Sequence, residues 1–237
     1  GNKVLFKDTY AYDHWDFEQT NPVIRLDLSK VSGDQPEVIS DMLLALVYNV
    51  AEQMDINLRE TVYPSVAFDQ LIQKAAKTTP VVILIDEYDA PILDNLNQPK
   101  LGEIKQVLRS FYKIIKANEA FIRFTFITGI SKFTHVGVFS ALNNLEDITL
   151  NSDYAPVVGY TEKEIRHAFP KQIEQVKTKI GLTDNEFWKR LAYYYNGYSW
   201  DGEQFVYNPL SILNFLDSGG EFIPYWMQTG SPAFIAK

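Results

Sequence analysis

Residues 80–91 read PVVILIDEYDAP, and no other stretch narrows the fold as much. Val81, Val82, Ile83, Leu84 and Ile85 form an unbroken apolar run, β-branched except at Leu84, which ends on Asp86 and Glu87 before the chain turns at Pro91. A half-exposed strand alternates apolar and polar residues. An unbroken one is what a parallel sheet covered on both faces requires.

The rest of the chain fits that frame. Residues 22–29, PVIRLDLS, are short, largely apolar and bounded by Asn21-Pro22 and Ser32-Gly33, which reads as a strand. Helical spacing of Val38, Met42, Leu43, Leu46, Val47 and Val50 predicts a helix over 36–54, and a weaker pattern predicts another over 66–76. Leu101, Ile104, Leu108, Phe111 and Ile115 make one stripe of a helix over 101–117. Residues 120–130 read as a third strand and 147–150 as a short fourth. Strands alternating with helices imply βαβ units and a largely parallel, doubly wound α/β sheet.

From Gly159 the character changes. Thr161 followed by Glu164 predicts a capped helix running to about residue 180, and Thr183 followed by Glu186 predicts another. The aromatic segment YYYNGYSWDGEQFVYNP reads as a hairpin turning near Asp201-Gly202, and 210–216 as a short helix. Together these form a small helical subdomain.

Composition bounds the chemistry. With no cysteine among 237 residues, disulfides, thiolate metal sites and cysteine nucleophiles are excluded, and a reducing, cytoplasmic setting is the expectation. No apolar run approaches the roughly 20 residues that span a bilayer, and the opening GNKVLFKDTYAYDHWDF is too acidic for a signal peptide. The formal net charge of −8 and the lack of a Lys/Arg cluster argue against nucleic acid as a partner of this segment alone.

In open parallel sheets ligands gather at the carboxyl ends of the strands, so an acidic pair there is placed to handle a metal and a water. In the Walker B arrangement the first carboxylate, here Asp86, holds Mg²⁺, and the second, here Glu87, orients and polarises the water that attacks the γ-phosphate of ATP. The plainer reading is that Asp86 merely ends a strand and Asp89 caps the next helix. On the third strand, FIRFTFITGISKF, Thr128 stands where a sensor would meet that water or phosphate, with Ser131 behind it as a nucleotide contact. A Thr before a Gly is also ordinary strand-to-turn punctuation.

Four separated blocks, IDEYDAPI, FITGISKF with VFSALNNLEDIT, GYTEKEI and YWMQTGSPAFI, make the chain similar to the AAA-ATPase-like domain family of bacterial P-loop proteins along nearly its whole length. The resemblance implies a P-loop NTPase-like three-layer parallel sheet core over 1–158, a C-terminal helical lid subdomain with its aromatic hairpin over 159–216, and a connection starting over 217–237. It places the Walker B acids on Asp86 and Glu87 and the next strand's signature on 128–133. It also implies a downstream nuclease-like domain of the PD-(D/E)XK superfamily. The departure is the phosphate loop: no GxxxxGK[ST] occurs, and the one correctly spaced pair, Gly197 and Gly202, is followed by Glu203-Gln204. A start at GNKVLF and an end at PAFIAK lead to the expectation of a fragment truncated on both sides. Such a piece would be inactive alone, would not hold Mg²⁺ and ATP tightly, and would self-associate through an unpaired sheet edge.

Other patterns carry less. Gly129-Ile130-Ser131 begins like a nucleophile elbow, but Phe133 stands where the last Gly belongs. Glu103-Ile104-Lys105, with Asp94 upstream, imitates nuclease ligands but lies on an amphipathic helix. His14, His135 and His167 lack the spacing of helical zinc pairs. Tyr193, Tyr194, Tyr195, Tyr198 and Trp200 read as lid packing. Arg109, Arg123 and Arg166 are candidate arginine fingers that sequence does not rank. The function these readings imply is ATP binding and hydrolysis by the parent protein; the alternative is a non-catalytic regulatory or scaffold module with a degenerate nucleotide site.

Overall fold

The computed structural model describes residues 2–130 and 144–226. The chain divides into two compact units, Gly1–Leu145 and Glu146–Lys237.

The first unit is a mixed α/β structure. A short helix α1 (Tyr10–His14) precedes strand β1 (Val23–Asp27), and α2 (Pro36–Gln53) and α3 (Pro64–Ala75) follow it. Both of these helices start with Pro, which presets the helical φ and lacks only an N–H that would have had no partner. Strand β2 (Val81–Asp86) leads into a single turn α4 (Ala90–Leu93), then α5 (Leu101–Ala117) and β3 (Ile122–Ile127). The strands pair in parallel in the order β1-β2-β3, with Asp27 opposite Asp86 and Ile85 opposite Ile127.

Alternation along each strand sorts its side chains onto two faces. Ile24, Leu26, Val81, Ile83 and Ile85 share one face and are buried, with Thr125 and Ile127 of β3 in register beside them. Ile39, Leu43 and Val47 of α2, Phe68 and Leu71 of α3, and Leu108 and Phe111 of α5 complete this core. The Phe68 and Phe111 rings stack with centroids 4.7 Å apart.

The other face carries Val23, Arg25 and Asp27, Val82, Leu84 and Asp86, then Phe124, Phe126 and Thr128. Val23 is 48% exposed and Phe124 is 54% exposed. The unbroken apolar run of β2 therefore does not have helices on both sides among the described residues of the first unit, which by itself forms two layers where three were expected. Val82 and Leu84 reach half burial within the sheet itself.

The second unit begins with a turn rather than the strand expected over 147–150: the Asp147 carboxylate accepts the Thr149 N–H at 3.0 Å, a local bond that competes with extended pairing. Helix α6 (Glu162–Ala168) opens on the Thr161–Glu164 capping box. The helix expected to run to residue 180 breaks at Phe169, because Pro170 disfavours helical backbone before it, and restarts as α7 (Pro170–Ile180). Gly181 ends α7 in the left-handed conformation, φ 67°. Helix α8 (Asp184–Tyr195) opens on the Thr183–Glu186 box. Strands β4 (Asn196–Tyr198) and β5 (Val206–Tyr207) form the antiparallel hairpin, and α9 (Pro209–Asp217) follows.

Of the five aromatics read as packing, Tyr195 is buried in this unit's core with Phe187, Leu191 and Phe215, and Tyr194 packs partly against it. Tyr193, Tyr198 and Trp200 are exposed, which corrects the packing reading for them: Tyr193 falls outside the inward stripe of α8 at positions 187, 188, 191 and 195, and Tyr198 and Trp200 lie beyond the helix, on β4 and in the turn that follows it. Among the described residues no helix is long and apolar enough to cross a membrane.

Candidate functional site

Parallel strands end together, so their terminal residues line up along the carboxyl edge of the sheet. Asp27 closes β1, Asp86 closes β2, and Thr128 follows the last residue of β3. The Thr128 hydroxyl donates to Asp86 Oδ1 at 2.7 Å, which brings together two of the sequence-derived site residues from segments 42 positions apart. The backbone holds the pair in place: Thr128 N–H donates to the Ile85 carbonyl at 2.9 Å, and Tyr88 N–H donates to the Thr128 carbonyl at 3.0 Å. Asp86 is exposed, so the carboxylate is open to a ligand on its other lone pairs.

Glu87 is also exposed and has φ 49°. Left-handed backbone costs an L-residue with a Cβ about 1–2 kcal/mol, and only Asn, Asp and Gly adopt it readily. Among the described residues the other two non-glycine residues with positive φ are Asp8 and Asp55, which belong to that tolerant group. A Glu held this way is a local rule broken, the pattern associated with a functional site.

Asp27 was not singled out from the sequence, although its strand ends as β2 does, with apolar residues leading to an Asp at the same register. Its Oδ1 accepts from Ser29 Oγ at 2.6 Å and from Ser29 N–H at 3.2 Å, and Lys30 Nζ lies 3.6 Å from Oδ2. The Ser29 hydroxyl, foremost among these, holds the Asp27 carboxyl below its usual range. Asp27 is thus a dressed carboxylate beside a more open one.

Asp89 occupies the N-cap position of α4 but makes no capping bond with its side chain, so the plainer reading of this residue is corrected. The chain passes through Glu87 into a turn that buries both Tyr88 and Asp89. Asp89 Oδ1 accepts the Ile130 N–H at 3.3 Å. Ser131, read as a nucleotide contact, lies outside the described residues, as does His135.

The candidate arginines are dispersed. Arg123 sits near the start of β3, at the end of the sheet away from Asp86, and Arg109 lies on α5. Arg166 belongs to the second unit, where it pairs with Glu162 at 2.7 Å and Asp184 at 3.5 Å and covers the Trp188 ring at 3.9 Å.

The donor set at the sheet edge fits a hard divalent cation in kind, since Asp27, Asp86 and Thr128 offer oxygen atoms only. Among the described residues no group of three His, Cys, Asp or Glu could hold a metal. Mg²⁺ held by one or two carboxylates must take the rest of its shell from water and phosphate. For the triphosphate itself the 237 residues contain no glycine-rich loop with its Lys, and the Gly197–Gly202 pair lies in the β4–β5 hairpin.

These features define a mixed α/β protein whose parallel strands β1 and β2 each end in an acid. Residues 1–139 match the family model AAA-ATPase_like, described as "Predicted AAA-ATPase", and the chain belongs to that family. A curated relative, "Uncharacterized protein in vnfD 5'region" of Azotobacter chroococcum mcd 1, is 38% identical over 240 residues. The match covers 99% of this chain and 44% of the relative, so the chain spans less than half of that protein's length. No solved structure matches the chain.

Proposed function

We propose that the natural protein binds ATP with Mg²⁺ and hydrolyses it at the carboxyl edge of the β1-β2-β3 sheet, in a P-loop NTPase-like core. Family membership supports the ATPase class. The observation that carries the reading is the hydrogen bond from Thr128 to Asp86, with Glu87 held next to it against its backbone preference. Bound Mg²⁺ would supply charge neutralisation at the phosphate oxygens. Asp86 would hold it, with Asp27 as the neighbouring carboxylate. The Glu87 carboxylate would orient the attacking water and accept its proton. The Thr128 hydroxyl donates its hydrogen bond to Asp86 and keeps oxygen lone pairs to accept from that water, the sensor role in this reading. The second unit, with its capped helices, is assigned as the lid.

Glu87→Gln in the full-length protein is expected to keep ATP bound and to cut turnover by roughly 10²- to 10⁴-fold, the usual worth of a water-activating group. Unchanged steady-state hydrolysis would remove Glu87 from the mechanism.

A second reading, a regulatory or scaffold module without catalysis, is favoured by the lack of GxxxxGK[ST] in these 237 residues. Exposed Asp86 and Glu87 repel a triphosphate, so the chain alone is expected to bind Mg·ATP more weakly than about 0.1 mM, or about −5.5 kcal/mol. Saturable, tighter binding in a calorimetric titration would mean that another segment cradles the phosphates.

A further inference from the structure

Regular pairing of β3 ends at Ile127, yet the next three residues remain fastened to the β2 turn. Two backbone bonds, Thr128 N–H to Ile85 and Tyr88 N–H to Thr128, extend the ladder. The Asp89 carboxylate then takes the Ile130 N–H at 3.3 Å. Gly129 lies between them so closely that an added Cβ would stand 2.5 Å from the Tyr88 ring and 2.6 Å from Asp89 Oδ1. From behind, the buried Tyr112 hydroxyl donates to the Tyr88 carbonyl at 3.0 Å. Burial, first of all, raises the Tyr112 phenol well above its ordinary range, so it stays protonated and keeps donating.

Asp89 is 1% exposed, and a carboxylate is costly to bury unless its bonds do something an apolar side chain cannot. What it does here is bridge two segments. One ends in Asp86 and Glu87; the other begins with Thr128, whose hydroxyl rests on Asp86.

We propose that Asp89 is a positioning residue: by pinning the backbone of residues 129–130 to the β2 turn it holds the Thr128 hydroxyl on Asp86. This rests on the reading of Asp86, Glu87 and Thr128 as the hydrolytic set, but the clamp itself can be measured without hydrolysis. The bond from Ile130 is to backbone, and through it the influence of Asp89 on chemistry passes by way of Thr128.

The test uses Asp89→Asn, which keeps the shape and an acceptor but loses the charge, and Gly129→Ala, which forces the clamp open from the other side. Amide hydrogen exchange of the full-length protein is read at Tyr88, Thr128 and Ile130, with Ile83 and Leu108 as core references. In Asp89→Asn the three site amides are expected to exchange about tenfold faster, the lower end for weakening a bond to a charged acceptor, with the references unchanged. Gly129→Ala is expected to give the same signature and covers the case in which the Asn variant does not fold. In ATP hydrolysis both variants should lower kcat while leaving KM for ATP within about twofold, the split for loss of a transition-state contact rather than of binding. Folded variants with wild-type exchange at Thr128 and Ile130 would overturn the proposal. So would faster exchange with undiminished kcat in an active enzyme. If the wild type hydrolyses no ATP, the hydrolytic reading fails by itself, and the exchange data alone decide for or against the clamp.

Discussion

The two faces of the three-stranded sheet both carry large apolar residues and live in different surroundings. On one face Ile24, Leu26, Ile83 and Ile85 are sealed beneath α2, α3 and α5. On the other, Val23, Arg25, Phe124 and Phe126 are exposed to differing degrees, and each of the first two strands ends in an acid. Burial on the first face supplies stability. The second gives up that stabilisation and in return presents Asp27, Asp86 and Thr128 at an accessible edge. Hydrophobicity alone does not say which face of a strand is the core; its neighbours do.

The sharpest way to break this comparison is to truncate one residue on each face. Ile83→Ala, fully buried, is expected to cost about 3 kcal/mol through lost transfer energy and an unfilled cavity. Phe124→Ala removes more atoms but from a ring 54% exposed, and is expected to cost about 1 kcal/mol or less. Chemical denaturation of both variants measures the contrast. Equal losses would mean that the second face is covered in solution.

Much of the first unit was legible because its signals are local. The aliphatic run of β2, the apolar spacing of α2 and α3, and the apolar stripe of α5 each fix an element to within a few residues. So did the two Thr–Glu capping boxes in the second unit. The misses share a cause: a side chain or ring overrode a pattern that looked continuous. Pro170 cut a helix whose apolar spacing ran on, and Asp147 turned a segment that looked extended. One-sided coverage of the sheet was hidden because Val82 and Leu84 are as apolar as Ile83. At the candidate site, the placement of Asp86, Glu87 and Thr128 at the strand ends was visible from residue type and position. The burial of Asp89 was not, since it depends on a left-handed Glu87 that no propensity for Glu foretells.

That same backbone gives a smaller test. Glu87→Gly removes the Cβ that makes φ 49° unfavourable, a relief of about 1–2 kcal/mol, against the roughly 0.5–1 kcal/mol that Gly loses through greater freedom in the unfolded chain. The net expectation is a gain near 0.5 kcal/mol, or about 1–2 °C in Tm for a unit of this size, alongside loss of hydrolysis. A variant more stable and less active would mark Glu87 as retained for its carboxylate rather than for the fold. A clear drop in Tm would show that the Glu87 side chain contributes packing the backbone argument omits.

The smallest expected effect separates the two acids at the sheet edge. Ser29 lowers the Asp27 pKa from its ordinary 3.8 by donating to the carboxylate, with Lys30 helping less. A carboxyl whose folded pKa is depressed adds stability at pH values above 3.8, and that contribution disappears as pH falls through the lower folded value. Ser29→Ala should therefore lower Tm slightly and evenly near neutral pH, and the gap to wild type should close in acid, where Asp27 is protonated in folded and unfolded chains alike. Because Asp27 is largely solvated, screening keeps the difference small. A gap that persists unchanged at the acid end would mean that Ser29 acts through the short turn over Leu28–Lys30 and not through Asp27. Asp27 would then be no more dressed than Asp86, and the two acids would be equally available to a cation.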